Sequence, residues 1–320
     1  IINTSAIHTV GTGLACNPQI DGAFLGLTEE QVKEWQADTK RRFNAWAVTP
    51  DCDLARKLNL YGIQDLALRS TLSRGDVFVL TPRVARAMGS TRLALPLVEA
   101  DRVCNPNGQR DTDTRTAGIE HSPETGEALR VHVADRHPGD TGRGPNTWTA
   151  REVRGAKTGR RNVLHLYRQL RPGLRRGVPI LAPVIEPIKQ VSRYTNAELE
   201  AAVTSGLFSV FMKMDPGAFQ DLFNEADQAT YIDRASQWSG EIEGGKAVNL
   251  LPGEEAIPSN PGRPNAQFDP FVTSCMRQIG MAVGIPYEVL VMHYQSSYSA
   301  ARGALLMAWR HFMGWRDWLS

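Results

Sequence analysis

VLHLYRQLRPGLRRGVPILAPVIEPIKQVSRYTNAELEAAV, residues 163–203, changes character three times within one short stretch. Val163–Tyr167 reads as a strand, because β-branched and aromatic residues run together between turn-forming neighbours. A basic segment follows, and then an apolar one broken by Pro179, Pro183 and Pro187. Beyond the prolines, Leu199, Val203, Leu207 and Phe211 recur every fourth residue, which places them on one helical face. If about 25 of these residues are helical, the element is roughly 37 Å long. A strand that feeds a long helix through a proline-rich joint marks a boundary between two kinds of architecture.

Downstream, residues 214–256 hold nine acidic residues against Arg234 and Lys246, a local charge of −7. A helical middle and a strand at residues 247–251 predict a small acidic βαβ-like module. Asn260, Pro261, Arg263, Pro264 and Asn265 break the pattern. Phe268, Phe271, Met276, Ile279, Met281 and Val283 then predict a second apolar helix, stopped by Gly284 and Pro286. A last helix begins near Ser297 or Ser299, whose hydroxyls suit an N-cap better than a nucleophile, since no base or oxyanion elbow accompanies them. Trp309, Trp315 and Trp318 on that helix fit core or inter-subunit packing.

Upstream, residues 1–25 alternate apolar and small polar side chains around Gly11 and Gly13, a strand-like pattern. Thr28, Glu29, Glu30 and Gln31 form an N-terminal capping signature for a helix to about Ala47, carrying Trp35, Phe43 and Trp46. A second helix is expected over residues 54–71, with Leu58, Tyr61, Ile63, Leu66 and Leu68 on its apolar face. Residues 77–80, 93–98 and 129–133 are further short strand runs, separated by Gly, Pro, Asn and Asp. The class is α+β with long polar loops.

The whole chain has 320 residues, 42% hydrophobic and 22% charged, with 36 basic and 34 acidic residues for a net charge of +2. These values exclude disorder as the main theme and exclude a polycation built to coat nucleic acid. Cys16, Cys52, Cys104 and Cys275 form no CxxC pair, so neither a disulfide framework nor a zinc knuckle is indicated. No run reaches the roughly 18 apolar residues of a membrane span. The start at Ile1 and the end inside an apolar helical pattern at Ser320 suggest a fragment or a processed chain.

Common catalytic templates are absent: HExxH, a phosphate-binding Walker loop, GxSxG and GxGxxG. Two local features offer rival functions. Residues 151–176 carry nine basic residues against Glu152, a charge of +8 that could meet DNA phosphates in a sequence-nonspecific binding module. Asp101, Asp111, Asp113 and Glu120 could hold a divalent ion in a metal-dependent nuclease, although their surroundings read as a solvated loop. The seven histidines are dispersed and read as isolated surface or core residues.

GIPYEVLVMHYQSSYSAARGALLMAWR, residues 284–310, resembles the signature of lambda-type portal proteins of tailed bacteriophages, with a Gly-x-Pro-Tyr-Glu step followed by Ser-Tyr-Ser-x-x-Arg. Residues 163–203 resemble a second block of that family, through Arg-Pro-Gly, Arg-Gly-Val-Pro and Tyr-Thr-x-Ala-Glu-Leu. Gly11, Thr12, Gly13 and Leu14, and later Arg263, Pro264, Asn265 and Phe268, resemble two more.

The resemblance implies a non-catalytic subunit, without metal or cofactor, of a ring of twelve copies at one capsid vertex. Double-stranded DNA would pass through the ring during packaging and ejection. Its partners would be the major capsid protein, the terminase large subunit and the head–tail connector or neck proteins. It would reside in the virion, and in the host cytoplasm during assembly, with no membrane partner.

By the family's architecture, residues 1–176 would form most of the wing, 177–207 the first stem helix and 208–263 the clip. Residues 264–285 would form the second stem helix, and 286–320 the tunnel-loop region with a helix returning toward the wing. The crown is not covered. Arg277, His293, Tyr294, Gln295, Ser296 and Ser297 become channel candidates. Asp215, Asp221, Glu225, Asp227, Glu241 and Glu243 become candidates for docking motor or neck proteins by charge.

Overall fold

A computed structural model describes residues 1–85, 91–140, 144–207, 210–214, 254–258, 265–294 and 297–320. The chain divides into two compact units, one of Ile1–Ile185 with Met276–Ser320 and one of Glu186–Cys275.

The first unit opens with helix α1 (Ile2–Thr9), where the sequence pattern read as a strand. Tertiary packing decides this: Ala6 and Val10, one helical turn apart, are buried with Leu68, Leu72 and Trp315. A short helix α2 (Gly22–Leu25) precedes α3 (Glu29–Ala47), which starts with the expected capping box between Thr28 and Gln31. Helix α4 (Leu60–Arg74) begins later than its apolar pattern does. The Asp53 carboxylate accepts the backbone amides of Ala55, Lys57 and Leu58, which holds that segment in a turn until Asn59 caps the helix at Gly62.

Strands β1 (Asp76–Leu80), β2 (Leu97–Glu99) and β7 (Val163–Tyr167) form an antiparallel sheet in the order β2-β1-β7. Pro96, which has no N–H to donate, confines β2 to the end of its apolar run. A second antiparallel sheet takes β3 (Arg115–Thr116), β4 (Ile119–His121), β5 (Ala128–Ala134) and β6 (Trp148–Glu152) in sequence order. Phe78, Val98 and Val163 of the first sheet share one core with Ile119, Val131 and Val133 of the second. Burial of such side chains at about 1.5–3 kcal/mol each is the main force joining the sheets.

In the second unit, α5 (Ile185–Leu207) is followed by strand β8 (Val210–Met214), and strand β9 (Glu254–Pro258) precedes the first half of α6 (Phe268–Val283), whose residues from Met276 onward belong to the first unit. A one-turn 3-10 segment at Ala182–Val184 stands ahead of α5, and Pro187 falls in the first helical turn, where a missing N–H costs nothing. Strands β8 and β9 pair antiparallel from Val210 opposite Pro258 to Met214 opposite Glu254. Tyr194 of α5 stacks on Phe268 at 5.7 Å and meets Phe271 edge-on at 4.7 Å, while Asn265 donates to Glu198 at 2.7 Å. Later residues of α5 therefore meet earlier ones near α6, so the two helices run antiparallel. The strand expected at residues 247–251 and most of the acidic module around it, residues 215–253, lie outside the described residues.

Candidate functional site

The C-terminal part of the first unit carries the channel candidates. Helix α6 ends where Gly284 takes a left-handed φ of +76° and Ile285 donates back to Gly280 at 2.8 Å, the bond pattern of a Schellman stop. Ile285 is then buried with Val184, Ile279, Val283, Val289, Ala308 and Phe312. Helix α7 (Tyr287–Leu290) follows Pro286, and α8 (Tyr298–Leu319) starts from Ser297, whose hydroxyl accepts the Ala300 amide at 3.4 Å. That capping role matches the reading of this serine from sequence.

Among the candidates, Arg277 is exposed and lies over the Tyr287 ring, 5.5 Å from its centre. His293 and Tyr294 are exposed on the loop between α7 and α8, with the His293 amide bonded to the Glu288 carbonyl. Gln295 and Ser296 lie outside the described residues, as do Asp215, Asp221, Glu225, Asp227, Glu241 and Glu243.

The turn at Gly284 also supports α8. A Cβ there would stand 2.8 Å from His311 Nδ1. Trp315 Nε1 donates to His311 Nε2 at 3.2 Å, which places the proton of the neutral ring on Nδ1. Burial, reinforced by the nearby Arg168 charge, lowers the His311 pKa and keeps that ring neutral. Gly284→Ala is expected to cost at least about 1–2 kcal/mol, the left-handed penalty alone, read as a lower urea midpoint. An unchanged midpoint would contradict the crowding at His311.

Three of the four carboxylates of the nuclease reading are engaged with other partners. Asp101 bonds His137, and Arg74 lies 3.8 Å away. Asp111 accepts the Ala117 amide and the Asn105 side chain, both at 2.8 Å, and these bonds, the backbone one foremost, lower its pKa. Glu120 meets His132 at 2.7 Å and Arg130 at 3.4 Å, and Asp113 is exposed. Among the described residues no group of three His, Cys, Asp or Glu side chains is placed to hold a metal ion.

Much of the basic stretch 151–176 is used inside the fold. Arg160 donates to the Thr81 carbonyl, Arg175 to the Thr116 hydroxyl, and Arg168 lies 4.9 Å from the Trp315 ring centre. Arg176 is a hub that sequence reading missed. Its guanidinium takes the Asp76 carboxylate in two bonds, of 2.6 and 3.1 Å, and also donates to the carbonyls of Ala100, Val103 and Ala117 at 2.8 Å. His165 Nε2 meets the same carboxylate at 2.9 Å. Asp76 is 2% exposed. Next to it, Gly75 and Gly177 cross so closely that a Cβ on Gly177 would lie 1.9 Å from the Gly75 carbonyl oxygen. The network pins the segment that leads toward α5. The only signal in the sequence was an acid set against the apolar VFVL run, with nothing to name a partner 100 residues away.

The family model described as "Phage portal protein, lambda family" matches residues 1–316. The chain belongs to the lambda family of phage portal proteins. Two curated relatives agree: Portal protein B of Escherichia phage lambda, 25% identical over 332 residues, and the Portal protein of Escherichia phage N15, 25% identical over 331 residues. Each alignment covers 98% of this chain and 61% of the relative, so this portal-family chain spans about three-fifths of the length of those proteins. A chain in the virion of a native gene transfer agent particle is similar at 13% identity and a TM-score of 0.43, over 88% of this chain and 76% of its own.

Proposed function

We propose that the protein is a subunit of a portal ring, twelve copies around a channel at one capsid vertex, through which double-stranded DNA enters during packaging and leaves during ejection. The match to the portal family over residues 1–316 carries this reading. The ring also serves as the platform for the terminase large subunit and the head–tail connector or neck proteins, and it sits against the major capsid protein. Its place is the virion, with assembly in the host cytoplasm. No helix among the described residues is long and apolar enough to cross a membrane.

In this reading residues 1–176 belong to the wing, 177–207 and 264–285 to the stem helices, 208–263 to the clip, and 286–320 to the tunnel-loop region and the returning helix. The antiparallel contact of Tyr194 with Phe268 and Phe271, together with the β8–β9 ribbon, supports a helix pair leading into and out of the clip. Arg277, His293, Tyr294, Gln295, Ser296 and Ser297 are the proposed channel residues. The acidic residues Asp215, Asp221, Glu225, Asp227, Glu241 and Glu243 are the proposed docking face for motor or neck proteins.

A conduit must not clamp a moving duplex, because each phosphate neutralised by a cation strengthens sequence-blind binding. A net charge of +2, and basic side chains committed to internal partners at Arg160, Arg168, Arg175 and Arg176, support a channel rather than a DNA-binding module. Negative-stain electron microscopy of the purified protein over a range of concentrations tests the proposal. Rings near twelvefold with a central opening wide enough for duplex DNA are expected. A persistent monomer that binds DNA tightly and releases it with salt would favour the binding-module reading instead.

A further inference from the structure

We propose that successive copies in the ring are joined by a knob and a groove, with Phe24 of one copy seated against helix α8 of the next. The inference rests on the ring reading above and names one contact within it.

The knob is built from local chemistry. The Asp21 carboxylate caps α2 by accepting the Phe24 amide at 3.0 Å, and Gly26 closes it with a left-handed φ of +66°. Leu27 donates back to Gly22 at 2.8 Å. Gly22 itself lies under Val32 of α3, so closely that a Cβ on it would stand 2.5 Å from Val32 Cγ2. The turn is thus fixed to α3, yet it presents Phe24 to solvent at 87% exposure, with Leu25 beside it. An aromatic ring held outward by a braced turn loses little conformational entropy on docking, which is the property of an interface anchor.

The groove lies on α8. Val289, Ala308 and Phe312 are its buried base, and Leu305, Leu306 and Trp309 are its exposed walls. His8 stacks on Phe312 at 5.0 Å and borders it together with Arg302. The groove is open to solvent on one side and its volume is about 260 Å³, against about 150 Å³ for an enclosed apolar cavity that accepts benzene, so it has room for a phenyl ring.

Charge selects the partner. The knob's exposed surroundings carry Asp21, Glu29, Glu30 and Glu34, against Lys33. Arg302 is the charged side chain at the groove, and α8 as a whole carries Arg302, Arg310 and Arg316 against the single acid Asp317. An acidic knob and an apolar groove bordered by Arg302 on one chain are two unlike patches that complement each other. Repeated head to tail, such a heterologous contact generates a ring when the rotation from copy to copy closes, as the ring reading requires. DNA would suit the arginines of α8 but leave Phe24 and the groove without an apolar partner.

A paired-cysteine experiment tests this contact. Phe24→Cys is combined with Leu306→Cys in a background in which the partly exposed Cys16, Cys104 and Cys275 are replaced by Ser, treated with a short bis-maleimide, and compared with that background and each single variant. Each copy then carries both halves of the contact, so a ladder of products extending beyond the dimer is expected from the double variant alone. In parallel, Phe24→Ser should raise the protein concentration needed for ring assembly by at least about tenfold, the effect of losing an aromatic hot spot. Its thermal midpoint should not change, and Phe24→Trp should assemble. Rings seen by electron microscopy without a ladder would overturn this contact and leave the portal reading intact. Products that stop at dimer would also overturn it, because they indicate a two-fold contact. Failure of the parent to form rings at any concentration would overturn both.

Discussion

Asp76→Asn is expected to destabilise the first unit by about 3–5 kcal/mol, the usual cost of breaking a buried ion pair from one side. The substitution keeps the side chain's shape and removes its charge, so Arg176, whose side chain is 22% exposed, stays among three carbonyls without its carboxylate. Burial by itself would raise the Asp76 pKa. The hydrogen bonds from His165 and Arg176 outweigh that and hold it at about 2, below its ordinary 3.8. Because the folded value is depressed, the stability Asp76 contributes is complete above the ordinary value and is lost as pH falls through the folded one.

His165 acts in an adjoining range. Burial lowers its pKa, against the pull of Asp76, so the unfolded chain takes up a proton below about 6.5 that the folded chain does not. Stability should therefore fall from near pH 6.5 downward through His165, and again below about pH 4 through Asp76. Urea midpoints at pH 7, 5 and 3 check both limbs. In Asp76→Asn the lower limb should flatten, and a variant within about 1 kcal/mol of the parent at pH 7, far from the buried-pair value, would sink the account of the hub.

Trp315→Ala should cost about 3–5 kcal/mol, as large-to-small changes in a core do. Trp315 is 5% exposed and packs with Ala6 and Val10 from the N-terminal segment and with Leu68 and Leu72 of α4. Its loss also removes the ring under Arg168 and the donor to His311. Trp309, six residues earlier on the same helix, is 49% exposed. Trp309→Ala should leave the urea midpoint within about 0.5 kcal/mol, as surface substitutions do, while weakening ring assembly if the groove on α8 holds a neighbouring copy. Equal effects of the two substitutions on unfolding would show that the helix does not divide into a core face and an assembly face.

The features that local chemistry controls were legible in the sequence. The capping box at Thr28 and Gln31, the N-cap at Ser297, the stop at Gly284 and Pro286, and strand β7 at Val163–Tyr167 each follow from a few adjacent residues. So did membership of the portal family, because two separated blocks of residues in the right order carry it. Where adjacent residues gave conflicting signals, packing prevailed. Residues 2–9 became a helix because Ala6 and Val10 found Leu68, Leu72 and Trp315, and the start of α4 moved to Leu60 because one carboxylate at Asp53 captured three amides.

The sequence by itself determined most of the element types, several caps and stops, and the family. Only the tertiary structure decided which charges serve the fold and which remain on the surface. Arg176 reads as one of nine basic residues in a run, yet it is the partner of Asp76, and Asp111 reads as a metal ligand, yet it orders its own loop. The reason is physical: a charge's role is set by what lies within a few ångströms of it, and chain closure brings those neighbours from positions up to 100 residues away.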